Sequence, residues 1–198
     1  DVVSVSYRLA PAHPYPAGLE DVRAALAWLR GGGADIPAER LALGGDSAGA
    51  NLALAAALAG ARDLAALVLV YGVFGTDFDS ESYRRFAEGF GFTRARAREI
   101  FDLYDPTGLR QTDPCLVPLL ATDAQLREAA PPRTLFLAAE CDVLADDSRA
   151  MHARFEAVGA PARLHVEPGV THGFLNRGRM VPQGDAALDR IAAFLAAL

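Results

Sequence analysis

The residues best suited to chemistry form the pentapeptide G-D-S-A-G at positions 45–49, a G-x-S-x-G pattern centred on Ser47. An apolar run, Leu41 to Leu43, precedes it and an Ala- and Leu-rich stretch, Asn51 to Leu58, follows, which indicates a strand passing into a helix. So tight a turn accepts only glycine or very small residues at its flanks, and it exposes the serine hydroxyl as a nucleophile. There the N–H of Ala48 and the helix dipole favour a developing negative charge. The alternative interpretation is a turn of small residues without chemistry.

A serine hydroxyl needs a base that takes its proton, and four histidines are candidates. His165 lies in a strand pattern and His152 in a helix of mixed polarity, so we expect both to be structural or surface residues. His13 lies in a proline-rich loop before Ser47, whereas sites built on a G-x-S-x-G turn between a strand and a helix have the chain order Ser, then Asp or Glu, then His. His172 follows the last strand pattern by a few residues and is therefore the predicted base.

The base in turn needs an acid that holds its tautomer and orientation. Asp142 closely follows a strand pattern that ends at Ala139, at the kind of C-terminal strand end where the sites of parallel sheets assemble. Glu140 and Asp146 are its local competitors, and Asp146 is predicted to cap the helix that begins there. The sequence therefore predicts a Ser-Asp-His triad in which Asp142 is the acid.

Composition excludes several other functions. All 19 basic side chains are arginines, so Schiff-base chemistry, a Ser-Lys dyad and a Walker-type phosphate loop, which all need lysine, are ruled out. The net charge of −6 argues against nucleic-acid binding and favours a small-molecule partner. Cys115 and Cys141 have neither zinc-site nor C-x-x-C spacing, so we expect no metal centre and no disulfide framework. No apolar stretch is long enough to predict a membrane span.

Predicted strands and helices alternate, which is typical of a mostly parallel sheet with helices on both faces. The predicted strands are Val2 to Tyr7, Leu41 to Gly44, Ala65 to Tyr71, Thr134 to Ala139 and Ala162 to Val166. The predicted helices are Ala17 to Arg30, Ala48 to Ala59, Arg94 to Tyr104, Asp146 to Val158 and Asp185 to Leu198. We expect residues 1–198 to form a single α/β domain, within which residues 73–132 are an excursion that contacts substrate.

Motifs along almost the whole chain resemble those of one family. Segment 7–17 reads Y-R-L-A-P-A-H-P-Y-P-A, similar to the Y-R-L-A-P-E-H-P-(F/Y)-P-A segment of the hormone-sensitive-lipase family of α/β-hydrolases, often called bacterial group IV esterases. Ala12 stands where that family usually has Glu. Residues 44–49 match the family's G-G-D-S-A-G elbow, after which Ala50 departs from the usual Gly.

Three further segments extend this resemblance. Residues 113–119 resemble the family's D-P-x-x-S-P-L loop, with Val117 where Ser is common, and residues 140–146 and 172–174 resemble its acid and base motifs. The resemblance implies an α/β-hydrolase fold and hydrolysis of carboxylic esters with short-to-medium acyl chains. It implies neither a metal nor an organic cofactor, and it assigns no substrate-binding residues.

The resemblance also implies roles for the candidate residues. Ser47 would attack the ester carbonyl, and His172 would accept its proton and pass it to the leaving alcohol. Asp142 would orient the imidazole and stabilise its cation, while the Ala48 N–H would serve the oxyanion hole. Water would then release the acyl group from Ser47.

Two family features have no counterpart in this sequence. They are the H-G-G-G loop, whose glycine N–H groups supply most of the oxyanion hole, and the N-terminal cap. We expect the chain to be the C-terminal two-thirds of a longer enzyme, in which Val2 to Tyr7 and Leu41 to Gly44 flank the place of an absent strand. Because losing one oxyanion-hole donor typically costs about 10²–10³ in rate, we expect the isolated chain to be unstable or nearly inactive.

Two other functions stay open. Relatives of this family include receptors that have lost the triad histidine, so a catalytically inactive small-molecule-binding protein is one, although His172 is present. The other is amide, carbamate or lactone hydrolysis, which the fold and triad do not distinguish from ester hydrolysis. The resemblance also implies a homodimer through Ala162 to Val166 and Asp185 to Leu198. It favours a cytoplasmic location, as do the two unpaired-looking cysteines.

Overall fold

A parallel four-stranded sheet forms the centre of the protein in the computed structural model, which describes residues 1–36 and 40–198. The strands lie in the order β1-β2-β3-β4, which is also their order along the chain. Their bounds are Leu41–Asp46 (β1), Leu64–Val70 (β2), Thr134–Cys141 (β3) and Ala162–Thr171 (β4). Parallel strands need crossover connections, and helices supply them here.

Seven α-helices surround the sheet in the described part of the chain. Their bounds are Ala17–Arg30 (α1), Ala48–Leu58 (α2), Glu81–Arg85 (α3), Arg94–Tyr104 (α4), Asp123–Ala129 (α5), Ala145–Ala157 (α6) and Pro182–Ala196 (α7). Short 3₁₀ helices cover Gly33–Asp35, Leu109–Gln111, Pro118–Leu120 and Phe174–Met180. No helix of the described residues is both long and apolar enough to cross a membrane.

Strand β2 divides the core between the two faces of the sheet because successive side chains of a strand point to opposite sides. Leu67 and Leu69 join the core under α1, α2, α5 and α6. Ala66, Val68 and Val70 join the core under α7. Burial on both faces explains why this strand reads as a continuous apolar run, and it confirms the predicted layered α/β architecture.

Helix α2 is apolar on all sides, and its residues Ala50 to Ala57 are all buried. It contacts β1 and β2 as well as α1 and α5. The many alanines let these elements approach closely. The helix that follows Ser47 is therefore held from several directions, which fixes the position of the turn before it.

The predicted strand Val2 to Tyr7 is wrong, because residues 1–9 form neither strand nor helix. Strand β1 pairs only with β2 among the described residues, so no ladder exists that the early segment could join. A β-rich composition alone cannot supply a partner strand. The Arg8 N–H instead donates to the Asp21 carboxylate at 2.8 Å, and the Val2 side chain is exposed.

The other predicted elements are present, and three strands run further towards the site than predicted, among them β3, which continues to Cys141, the residue before Asp142. β1 continues through Gly45 and Asp46 to the residue before Ser47. β4 continues to Thr171, the residue before His172, because β3 pairs with it as far as Cys141 and Thr171. All three candidate residues therefore lie directly at strand ends.

Candidate active site

Ser47 occupies the turn between β1 and α2 in a strained backbone conformation, with φ 52° and ψ −117°. A positive φ is uncommon for a residue other than glycine and costs energy that the surroundings must supply. Three backbone hydrogen bonds hold the turn: the Ser47 N–H donates to the Val70 carbonyl at 2.9 Å, and the Ser47 carbonyl accepts from the N–H groups of Ala50 at 3.1 Å and Asn51 at 3.2 Å. The turn thus joins strand β2 to helix α2 through one residue.

The two glycines that flank Ser47 differ in how much space surrounds them. A Cβ added to Gly45 would lie 2.4 Å from the carbonyl carbon of Gly49, a separation that real structures do not show. A Cβ added to Gly49 would meet nothing within 4 Å. The prediction that both flanks must be very small is therefore right for Gly45 and wrong for Gly49.

The structure brings Ser47, His172 and Asp142 together in one hydrogen-bonded series. The Ser47 Oγ lies 2.9 Å from His172 Nε2, and His172 Nδ1 lies 2.7 Å from Asp142 Oδ2. An ionised carboxylate can only accept, so Nδ1 carries the ring proton and Nε2 is free to accept from the serine hydroxyl. This is the protonation pattern that a general base needs in order to activate a serine.

Exposure to solvent falls along this series, from the half-buried Ser47 to the buried Asp142. The Asp142 side chain is fully buried, and 12% of the His172 side chain is exposed. The second carboxylate oxygen of Asp142 accepts from the Leu144 N–H at 3.1 Å, which fixes the orientation of the carboxylate. The three residues follow β1, β3 and β4, whose carboxyl ends meet at one edge of the sheet, as the sequence predicts.

Ala48 is the first residue of α2 and is exposed at the start of the helix. Its N–H has no carbonyl four residues back within the helix, so it is one of the donors that a helix N-terminus leaves for other acceptors. The helix dipole adds a positive potential at the same place. An oxyanion forming beside Ser47 would meet this donor.

A family model described as the alpha/beta hydrolase fold matches residues 1–176. The chain belongs to this family. The match covers most of the chain and includes the three residues of the hydrogen-bonded series.

Named esterases are among the proteins similar to this α/β-hydrolase. The ethyl acetate hydrolase of Pseudomonas putida is 35% identical over 201 residues, which cover 98% of this chain and 62% of that protein. The carboxylesterase NlhH of Mycobacterium tuberculosis is 34% identical over 200 residues, with the same 98% and 62% coverage. A structure from a study of two fungal esterases of Rhizomucor miehei has a TM-score of 0.90 at 30% identity and covers 97% of this chain and 61% of its own. The α/β-hydrolase chain thus spans about three-fifths of these relatives' lengths.

The competing carboxylates of this α/β-hydrolase lie in other contacts. Glu140 accepts from the Gly169 N–H at 2.8 Å. The prediction that Asp146 caps the next helix is wrong, because α6 begins at Ala145 and Asp146 lies in its first turn. The Asp146 carboxylate instead accepts from the Ser82 N–H at 2.7 Å, a donor that comes from α3 and that local sequence does not reveal.

The competing histidines lie outside the hydrogen-bonded series. His152 faces Glu156 on α6 with Nδ1 3.4 Å from the carboxylate, and His165 on β4 lies 3.0 Å from an Arg190 nitrogen of α7. His13 lies in the turn before α1. No group of three or more His, Cys, Asp or Glu side chains suited to a metal ion occurs within residues 1–36 and 40–198.

Tyr71 is a site residue that the sequence analysis missed. It follows β2 with φ 37°, and its buried hydroxyl donates to the Asp46 carboxylate at 3.2 Å. Burial raises the pKa of Tyr71, so the phenol stays protonated and able to donate. Its ring meets the His172 imidazole edge-on with centroids 4.8 Å apart. Tyr71 therefore contacts both Asp46, the residue before Ser47, and His172. The one feature of the sequence that could have indicated a role for Tyr71 is its position at the end of a predicted strand.

Asp147 is a second missed residue and is buried on α6. Its Oδ2 accepts from the N–H groups of Phe74 and Gly75, each at 2.8 Å. Burial raises the pKa of Asp147 to about 7, against the lowering effect of these two hydrogen bonds. The carboxyl group anchors the start of the segment that leaves β2.

Asn51 joins α2 to two points of the excursion. Its amide nitrogen donates to the Val73 carbonyl at 2.7 Å and to the Leu116 carbonyl at 3.0 Å. Three residues before Leu116, Asp113 accepts from the Tyr15 hydroxyl at 2.8 Å. The excursion is thereby tied to the helix that carries the nucleophile turn.

An apolar cavity of about 390 Å³ adjoins Ala48. Its walls come from residues 7–10, from α1 and α2, and from the excursion with its helix α4, and they include Leu52, Val73, Ile100, Phe101, Leu103 and Leu116. The volume lies at the lower end of the range for small-molecule sites. The cavity offers an apolar group a place beside Ala48, the residue after Ser47.

Proposed function

We propose that this chain carries the catalytic residues of a serine carboxylesterase that hydrolyses small carboxylic esters. The unbroken series from the Ser47 hydroxyl through His172 to the buried Asp142 carboxylate carries the proposal. The similarity to proteins named ethyl acetate hydrolase and carboxylesterase supports it. No cofactor takes part in this chemistry.

In the first half of the proposed reaction, the Ser47 Oγ attacks the ester carbonyl carbon while its proton moves to His172 Nε2. The carbonyl oxygen becomes an oxyanion, which the Ala48 N–H and the α2 dipole stabilise. The tetrahedral intermediate then expels the alcohol, which takes the proton from Nε2, and an acyl ester remains on Ser47. Asp142 stays ionised throughout and stabilises the imidazolium.

In the second half, a water molecule takes the place of the alcohol. His172 Nε2 accepts a proton from the water as its oxygen attacks the acyl carbon, and the same oxyanion contacts form again. Collapse releases the carboxylic acid and returns the proton to Ser47. The cycle needs one base that alternates between neutral and cationic forms, which the contact of His172 with Asp142 provides.

The cavity beside Ala48 supports the proposal that the substrate carries short-to-medium apolar groups. Its wall residues Val73, Ile100 and Leu116 belong to the excursion 73–132, so we assign substrate contact to that segment. The names of two relatives, ethyl acetate hydrolase and acetyl esterase, refer to small acyl groups. We propose the same class for this chain, within a single domain of residues 1–198.

Three further expectations belong to this proposal. A homodimer through β4 and α7 is supported by the outer edge of β4, which pairs with no other described strand. Light scattering on the purified protein tests it, with a monomer mass as the contrary result. A cytoplasmic location is supported by the free thiols of Cys115 and Cys141. The expectation that the isolated chain is unstable or nearly inactive stays a prediction.

A substrate panel tests the reaction class. We expect p-nitrophenyl acetate and butyrate to be hydrolysed and the matched p-nitroanilides of the same acids to be hydrolysed far more slowly. Faster hydrolysis of the anilides would make the protein an amidase with the same series of residues. Tight binding of esters without any turnover would favour the inactive binding protein instead.

A further inference from the structure

A phenylalanine from the excursion lies against the candidate base. The ring of Phe92 and the imidazole of His172 have centroids 4.8 Å apart and planes inclined by 30°, so a ring face and not an edge meets the imidazole. The nearby Tyr71 meets the same imidazole edge-on, at 62°. No motif in the sequence marks Phe92, which lies 80 residues before His172 along the chain.

The backbone around Phe92 holds its ring in this position. Gly91 has φ 91°, a left-handed conformation that turns the chain just before Phe92. Thr93 caps α4 by accepting from the Arg96 N–H at 3.1 Å, which fixes the chain just after it. The ring also packs against a buried cluster that includes Val143 and Leu144, the two residues after Asp142.

We infer that Phe92 is a positioning residue that stabilises the cationic form of His172 during catalysis, an inference that rests on the proposed function. The imidazole becomes an imidazolium when it takes the Ser47 proton, and it loses that charge when the alcohol or acid leaves. The face of a benzene ring carries partial negative charge and attracts a cation within about 6 Å. The contact therefore strengthens as the transition state is approached and acts on kcat more than on KM.

The same contact restrains the imidazole. A ring packed on one side by Phe92 and touched by Tyr71 has few orientations left, so Nε2 stays aimed at Ser47. Such restraint preserves the reacting geometry without a new hydrogen bond. Both effects depend on an aromatic side chain at position 92.

Phe90 is a matched control within the same turn. It lies two residues from Phe92, is 36% exposed, and its ring packs against Phe86 with centroids 5.0 Å apart. Among the described residues its aromatic contact is with Phe86 and not with His172. Loss of either phenylalanine removes one ring from the turn, but of the two rings it is that of Phe92 that contacts His172.

Steady-state kinetics with p-nitrophenyl butyrate test the inference on Phe92→Leu, Phe92→Tyr and Phe90→Leu. We expect Phe92→Leu to lower kcat by about 2- to 30-fold with KM little changed. Phe92→Tyr, which keeps a ring face, should restore most of the rate, and Phe90→Leu should keep it. Equal losses in both leucine variants, or no loss in Phe92→Leu, would overturn the inference.

Nuclear magnetic resonance of the His172 ring protons separates this inference from the proposed function, because it needs no turnover. A stacked benzene ring moves those resonances upfield, so Phe92→Leu should move them downfield while Phe90→Leu leaves them in place. An unchanged spectrum in Phe92→Leu refutes the contact itself. If the wild-type protein shows the upfield shift of the His172 resonances but hydrolyses no ester, the proposed function is refuted. The role of Phe92 as a positioning residue in catalysis is then refuted with it.

Discussion

The Oδ2 atom of Asp142 lies 2.7 Å from Nδ1 of His172, while its Oδ1 accepts from the Leu144 N–H at 3.1 Å. Both oxygens of a fully buried carboxylate are therefore fixed, and one of them sets the tautomer of the imidazole. The contact therefore predicts how kcat responds when the negative charge of Asp142 is removed.

The substitution Asp142→Asn should lower kcat by about 10³–10⁴ with little change in KM. An amide NH₂ facing Nδ1 would favour the tautomer whose proton sits on Nε2, which then cannot accept from Ser47. Kinetics with p-nitrophenyl butyrate measure the effect. The control is Glu140→Gln, because Glu140 contacts Gly169 and not His172, and it should stay within tenfold of wild type. A loss in Glu140→Gln as large as that in Asp142→Asn would refute the choice of acid.

The two elbow glycines should respond differently to alanine. Gly45→Ala forces a Cβ to 2.4 Å from the Gly49 backbone, so we expect the protein to misfold or to lose several kcal/mol of stability. Gly49→Ala has open space and lies in a helix, where Ala is favoured over Gly by about 1 kcal/mol, so it should keep or raise the stability. Urea unfolding compares the two variants. Equal tolerance of both substitutions contradicts the described turn.

Asp147 should make stability depend on pH. Its pKa is raised from 3.8 to about 7, so the native state keeps a proton that the unfolded chain loses near pH 4. The stabilisation of wild type relative to Asp147→Asn should therefore fall as pH rises from about 4 to 7, by about 2–3 kcal/mol between pH 5 and 7. Asn keeps an acceptor for Phe74 and Gly75 and removes the titration.

Urea unfolding of wild type and Asp147→Asn at pH 5, 6, 7 and 8 measures this difference. The exposed Asp185 on α7 provides the control Asp185→Asn, whose difference from wild type should change little over that range. A wild-type advantage that grows with pH would reverse the sign of the predicted titration and refute it.

Asn51 should stabilise the excursion that forms the cavity wall. Asn51→Leu leaves the carbonyls of Val73 and Leu116 without their donor, so the free energy of unfolding should fall by about 1–3 kcal/mol. We also expect a higher KM, because both carbonyls belong to residues that line the cavity. Asn176→Leu, which removes one longer hydrogen bond from an exposed asparagine to Asp46 at 3.4 Å, should lower the free energy of unfolding by less than Asn51→Leu does. An unchanged stability in Asn51→Leu would contradict the proposed anchoring.

Much of the architecture could be predicted from the sequence because it depends on local pattern. The apolar runs of β2 and β3 and the periodicity of α1 and α4 mark those elements directly. The positions of Ser47, Asp142 and His172 were predictable for a further reason: parallel strands bring their carboxyl ends to one edge. The alternation of strands and helices along the chain therefore predicted that the carboxyl ends of β1, β3 and β4 lie at the same edge of the sheet.

The rest depends on contacts between distant segments. Val2 to Tyr7 has strand-like composition, but a strand exists only where another strand pairs with it. Phe92 reaches His172, and Asp147 reaches Phe74, only after α4 and α6 have packed. Neither residue belongs to a motif that composition or spacing reveals.

The central claim is that Ser47 is an activated nucleophile, and the most direct measurement is p-nitrophenyl butyrate hydrolysis by wild type and Ser47→Ala. A fluorophosphonate probe followed by mass spectrometry reports on the same serine, and the exposed Ser4 gives the control Ser4→Ala. We predict hydrolysis above the buffer rate and label on Ser47, both lost in Ser47→Ala and kept in Ser4→Ala. Equal hydrolysis by Ser47→Ala, label on another residue, or folded wild-type protein with neither hydrolysis nor label would contradict the claim.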